Sequence, residues 1–139
     1  VLHWYHISYK AKLIFKGVRS RYSDDLLWLP FVVGEYVQKT GDSKILSVEL
    51  PFVHGDELKE AEKERYGEFF LGEEKGSVYE HCLRAVKKSL NFGEHSLPLM
   101  GGGDWNDSFN EVGIKGRGES VWLALLWQSI SSILQVVTH

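Results

Sequence analysis

Apolar residues recur at helical spacing in three places along the chain. The first run follows Ser23, with Leu26, Leu29, Val33, Tyr36 and Val37 one helical turn or so apart. Ser23 is a good N-cap, and Asp24 and Asp25 place negative charge in the first turn, where free N–H groups and the helix dipole favour it. Thr40-Gly41-Asp42 stops the run. Pro30 inside it predicts a later start or a kink. The second helix opens on Ser77-Val78-Tyr79-Glu80, a capping box, and continues as a stripe of Tyr79, Cys82, Leu83, Val86 and Leu90 until Asn91-Phe92-Gly93. The third runs from about Glu119 or Ser120 to Val137. Its Val121, Trp122, Leu125, Leu126, Ile130, Ile133 and Leu134 occupy more than one side, which predicts a helix covered on several faces.

Residues 45–76 and 93–118 show no helical period. Connections of that length in a compact domain are usually functional. The charged run from Asp56 to Glu68 suits a short helix or a solvated face. These features predict an all-α scaffold with its chemistry on the loops. Three helices supply too few partners for their own apolar faces, so the chain reads as a segment of a larger helical domain, with short strands in the loops as a partial alternative cover.

Composition narrows the classes. Of 139 residues, 43% are apolar and 13% aromatic, enough to build a core and too many for a disordered chain. The 19 acidic and 16 basic residues nearly balance, so no basic surface points at nucleic acid. One cysteine, Cys82, excludes an internal disulfide or a multi-cysteine zinc site and fits a reducing, cytoplasmic setting. Val1-Leu2-His3-Trp4-Tyr5-His6 begins without methionine and matches neither a signal peptide nor a membrane span; a start inside an aromatic cluster reads as a piece of something longer. Gln128, Ser129, Ser131 and Ser132 interrupt the last apolar stretch, which therefore reads as a buried helix.

The densest polar and aromatic cluster is Met100-Gly101-Gly102-Gly103-Asp104-Trp105-Asn106-Asp107-Ser108. Consecutive glycines let the backbone approach a ligand. A carboxylic acid there can protonate a leaving oxygen, an indole face can stack on a sugar ring, and an amide can bind hydroxyls. The alternative is a turn whose aspartates bond their own backbone while Trp105 packs inward. A second cluster, Gly17-Val18-Arg19-Ser20-Arg21-Tyr22-Ser23-Asp24-Asp25, puts two arginines beside a helix start. They could hold an anion, or simply pair with Asp24 and Asp25. His3 and His6 share the spacing of a metal pair but have no nearby carboxylate or cysteine, so an aromatic wall is the better reading and no metal is expected. His54, His81 and His95 stand alone, and Cys82 on an apolar stripe reads as a packed thiol. Neither a Gly-x-Ser-x-Gly elbow nor a P-loop is present.

Taken together, the segments resemble glycoside hydrolase family 94, the inverting disaccharide and oligosaccharide phosphorylases. The resemblance rests on His3-Trp4-Tyr5-His6, Gly17 through Pro30, Thr40-Gly41-Asp42, Glu49-Leu50-Pro51-Phe52, Tyr79-Glu80-His81-Cys82, Leu97-Pro98-Leu99-Met100, Gly103-Asp104-Trp105-Asn106-Asp107 and Gly116-Arg117-Gly118-Glu119-Ser120-Val121-Trp122. It is strongest toward 1,2-β-oligoglucan phosphorylases and the carboxy-terminal region of cyclic β-1,2-glucan synthases. It implies that residues 1–139 are a fragment of one (α/α)6 barrel catalytic domain. Asp107 would be the general acid. Trp105, Asn106, Asp104, Arg19, Arg21, Asp24 and Asp25 would form sugar subsites.

The implied reaction is reversible phosphorolysis of a β-linked glucose oligosaccharide to α-glucose 1-phosphate, with inorganic phosphate as co-substrate and no other cofactor. The phosphate site would draw on residues outside this chain, so the fragment alone would be inactive. The resemblance also allows a homodimer of the full-length protein, without membrane or nucleic-acid contact from this segment. Two other roles stay open: chain-length control within a cyclic β-1,2-glucan synthase, and an inactive carbohydrate-binding remnant. The sequence departs from the family at Ser108, where glycine is usual, and through Ile7 to Lys16.

Overall fold

The computed structural model describes the backbone of residues 4–10, 12–109 and 111–137, and the side chains of 15–106, 108, 109 and 111–132. Four strands and three α-helices are formed along it. In order they are β1 (Trp4–Lys10), β2 (Lys12–Ser20), α1 (Asp25–Thr40), β3 (Glu49–His54), β4 (Glu64–Ser77), α2 (Val78–Ser89) and α3 (Val121–Val137). The strands form one sheet in the order β1-β2-β4-β3, antiparallel throughout.

This sheet overturns the all-α, (α/α)6-barrel expectation: the described chain is a mixed α/β unit. The reason lies in how the strands are buried. β4 carries Tyr66 and Phe70 on one face and Phe69 on the other, yet only Phe69 and Gly76 along it are buried. A strand wet on both faces gives no clean apolar alternation, so its Glu and Lys residues mimic a loop. Register, not composition, holds it: Phe15 pairs with Phe69, Gly17 with Gly67 and Arg19 with Arg65. β3 takes the edge, where Pro51 is tolerated, and its register shifts between Pro51 and Val53. The charged run Asp56 to Glu68, read as a short helix or a solvated face, forms the β3–β4 loop and the start of β4.

The helices form where expected, with altered details. α1 starts at Asp25 and runs through a buried Pro30. Asp24, not Ser23, takes the N-cap position and makes no side-chain cap bond; its carboxylate accepts from the Trp28 indole, and Ser23 bonds carbonyls elsewhere. Its buried face is Leu27, Pro30, Gly34 and Val37, so the expected stripe is rotated, and Leu29 and Tyr36 face outward. Gly41, at φ 72°, closes it with an N–H donated to the Val37 carbonyl.

α2 keeps half of its capping box: Ser77 Oγ accepts the Glu80 N–H at 3.1 Å, while the Glu80 carboxylate turns to Arg84. Val78, Cys82 and Ala85 are buried, but Tyr79, Leu83 and Leu90 are not. Burial pushes the Cys82 thiol up to about 11, which makes it a packed group and not a nucleophile. Leu27, Leu123, Leu126 and Ile130 form the core between α1 and α3, with Phe31, Val86, Trp122 and Trp127 against it. Among its described side chains, through Ser132, α3 is covered on one side, since Val121 and Leu125 are exposed. Among the described residues, no helix is long and apolar enough to cross a membrane.

Candidate functional site

The two sequence clusters meet at the start of α1, about eighty residues apart in the chain. Tyr22 forms a bridge with Gly101. The Ser23 N–H donates to the Gly103 carbonyl at 2.9 Å, and Ser23 Oγ lies 2.9 Å from both the Met100 and Gly103 carbonyl oxygens, to which it donates. Gly101 and Gly103 adopt φ of 61° and 145°, so the glycine run bends in a way that other residues rarely can. A Cβ on Gly103 would lie 2.7 Å from the Tyr22 ring. The glycines serve close backbone approach, and the approaching backbone is the chain's own.

Beyond them the Asp-Trp-Asn-Asp turn is built from local bonds and one long-range anchor. Asp104 is only 3% exposed, and its Oδ2 accepts the Ser120 hydroxyl at 2.6 Å. Its Oδ1 accepts the Asn106 N–H at 3.3 Å. Asn106 Oδ1 accepts the Ser108 N–H, and the Asn106 carbonyl accepts from Phe109. Asp107 opens the 3-10 turn Asp107–Phe109; its side chain lies outside the described residues. Ser108 lies in the same turn. Among the described residues Ser96 is the only non-glycine at positive φ, so serine at 108 carries no backbone strain there.

Trp105 is 59% exposed, not packed inward, and its ring lies 6.3 Å from that of Trp122. Trp122 in turn lies 6.4 Å from Trp28. The three indoles make a continuous aromatic wall beside buried carboxyl groups. Asp24, almost fully buried, accepts the Trp28 Nε1–H at 3.2 Å. Burial raises its pKa first, and the charges of Asp25 and Asp104 push the same way, against the pull of the Trp28 bond. Asp25 accepts the Ser20 hydroxyl at 2.6 Å.

Arg19 and Arg21 grip the β3–β4 loop. Arg19 Nη1 donates to the Asp56 carbonyl at 2.8 Å, and its guanidinium lies 5.2 Å from the centre of the Phe69 ring. Arg21 donates to the carbonyls of Glu62 at 2.8 Å and Lys59 at 2.9 Å. Both arginines also line a cavity of about 530 Å³, with Asp25, Lys88, Asn91 and Trp127 on its other walls. Gly101 and Gly102 line it as well; neither Trp105 nor Asp104 does.

His3 lies outside the described residues, as do the side chains of Trp4, Tyr5 and His6 on β1. Among the described residues no group of His, Cys, Asp and Glu is arranged to hold a metal ion. Sequence reasoning missed Ser120, Trp28 and Trp122 as partners of the site. Ser120 did carry a signal, because it stands at the expected start of α3.

A sequence profile of the glycosyl hydrolase 94 superfamily catalytic domain matches residues 6–138. The chain belongs to that superfamily. It is 41% identical to the cyclic beta-(1,2)-glucan synthase NdvB of Rhizobium meliloti (strain 1021) over 124 residues, which is 88% of this chain and 4% of that protein. It is 39% identical to the solabiose phosphorylase of Paenibacillus borealis over 105 residues, 75% of this chain and 11% of that enzyme. The cellobionic acid phosphorylase of Neurospora crassa is 31% identical over 120 residues, 81% of this chain and 13% of its own length. The chain thus spans a small part of each of these relatives. Membership of a superfamily of glycoside phosphorylases supports enzymatic capability at the level of the family.

Proposed function

We propose that this chain carries the acid-bearing part of an inverting glycoside phosphorylase acting on a β-linked glucose oligosaccharide. Asp107 serves as the general acid. A phosphate oxygen attacks the anomeric carbon from the face opposite the departing sugar; the glycosidic C–O bond breaks, and the Asp107 proton passes to the leaving oxygen. The products are α-glucose 1-phosphate and a shortened saccharide, and the proton lost by the phosphate restores the acid. An inverting hydrolase needs a second carboxylate to activate water. Phosphate is already an anion, so one acid suffices.

One observation carries the reading. The Arg-Ser-Arg-Tyr-Ser-Asp-Asp segment at 19–25 and the Asp-Trp-Asn-Asp turn, far apart in sequence, are joined through Ser23 at one place. There the exposed Trp105 is available to a sugar ring, with Asn106 next to it in the turn and Trp122 against its indole. Arg19 and Arg21 border the neighbouring cavity, whose volume falls within the usual range for small-ligand sites. The test is phosphorolysis of β-1,2-gluco-oligosaccharides by the full-length protein, assayed as sugar phosphate. Asp107→Asn should abolish it while far-UV circular dichroism is unchanged. Near-normal turnover would refute the assignment.

The similarity to a cyclic beta-(1,2)-glucan synthase favours a second reading, in which the same chemistry controls chain length inside a larger synthase. A glycosyltransferase region with membrane-spanning helices upstream in the full reading frame would decide for it. Sugar binding without any phosphorylated product would favour an inactive remnant instead.

A further inference from the structure

We infer that Asp104 is a positioning residue for the acid at 107, fastening the acid-bearing turn to the N-terminus of α3 through Ser120. This rests on the reading of Asp107 as the general acid. A sugar ligand needs an oxygen that substrate can reach. Asp104 is 3% exposed, and both of its oxygens are engaged within the protein, in contrast to the open Trp105 next to it.

The chain of bonds runs from the core to the acid. Leu123, itself 2% exposed, donates its N–H to Ser120 Oγ at 3.1 Å, and Ser120 Oγ–H donates to Asp104 Oδ2. The Ser120 N–H donates to the Pro98 carbonyl and the Met100 N–H to the Gly118 carbonyl, so the start of α3 is also tied to the segment entering the glycine run. On its other side Asp104 Oδ1 holds the Asn106 N–H, and Asn106 holds Ser108 and Phe109. These bonds bracket residue 107. Without the Asp104 carboxylate the turn keeps the Asn106 bonds to Ser108 and Phe109 but loses both the hold on the Asn106 N–H and the side-chain tie to Ser120, and a small displacement of an acid can cost up to about 100-fold in rate.

A misplaced acid slows proton delivery and leaves sugar binding alone. In the full-length enzyme acting on β-1,2-gluco-oligosaccharides and phosphate, Asp104→Ala and Ser120→Ala should each lower kcat by roughly 10- to 100-fold, with KM within about twofold of wild type. The double variant should fall no more than about threefold below the worse single one, because both break the same link. Ser120→Thr, which keeps the hydroxyl, should retain kcat within about threefold. All are compared at a temperature where far-UV circular dichroism matches wild type. A raised KM with kcat intact in Asp104→Ala would make Asp104 a sugar ligand and overturn the inference, as would multiplicative losses in the double variant. Failure of the acid assignment itself is read on a different variant, Asp107→Asn.

Discussion

Replacing Gly103 with alanine tests the joint between the two halves of the site. The residue sits at φ 145°, a backbone region that L-residues enter at about 1–3 kcal/mol. A new Cβ would also lie 2.7 Å from Cδ1 and Cε1 of Tyr22, so the ring or the turn must move by several tenths of an ångström. Overpacking of that kind costs about 1–3 kcal/mol more. Taking about 3 kcal/mol in all, local opening should become roughly 100-fold more frequent, at about 1.4 kcal/mol per tenfold.

The reporter is the Ser23 amide, whose N–H donates to the Gly103 carbonyl. Hydrogen exchange at Ser23 in the full-length protein should accelerate by about two orders of magnitude. Gly41→Ala is the control: it shares a positive φ, 72°, but a Cβ there would meet nothing within 4 Å. It should loosen the end of α1 by about 1–2 kcal/mol and leave Ser23 unchanged. Ser23 exchange in Gly103→Ala within about threefold of wild type would refute the reasoning, since neither the strain nor the overlap would then be real.

Two further outcomes follow from the same neighbourhood. Asp24 has a folded pKa above its ordinary value of 3.8, chiefly through burial, so the folded state binds the extra proton and stability falls as pH rises through that interval. Asp24→Asn, which keeps an acceptor for Trp28, should lack this loss; urea unfolding from pH 4 to 7 should show the variant gaining on wild type, and parallel curves would count against it. Arg21→Lys should speed limited proteolysis within residues 56–63 several-fold, because an ammonium cannot hold the Glu62 and Lys59 carbonyls as a guanidinium fork does. Unchanged cleavage would show that the loop does not depend on Arg21.

Local signals were legible where they did not depend on distant partners. Ser77 caps α2 and Gly41 closes α1 as the residue types require, and a helix does begin after Ser120. The phase of α1 was not legible, because Leu26, Leu29 and Tyr36 are as apolar as the residues that face the core. The sheet was the largest miss. β4 is exposed along most of both faces, and the first half of its partner β2, Lys12 to Lys16, falls in a segment that departs from the family pattern, so neither periodicity nor resemblance marked the pair as strands.

The site divides in the same way. Order along the chain brought Asp104, Trp105, Asn106 and Asp107 forward as one polar and aromatic cluster, equally readable as an ordinary turn, and it was the ordered motifs together that pointed to the superfamily. Only the tertiary structure gave them different tasks. It left Trp105 open, closed Asp104 against Ser120, and turned both arginines onto the β3–β4 loop. Residue types set what a side chain can do chemically. Which of those capacities is used depends on burial and on partners tens of residues away, and a linear pattern does not carry either.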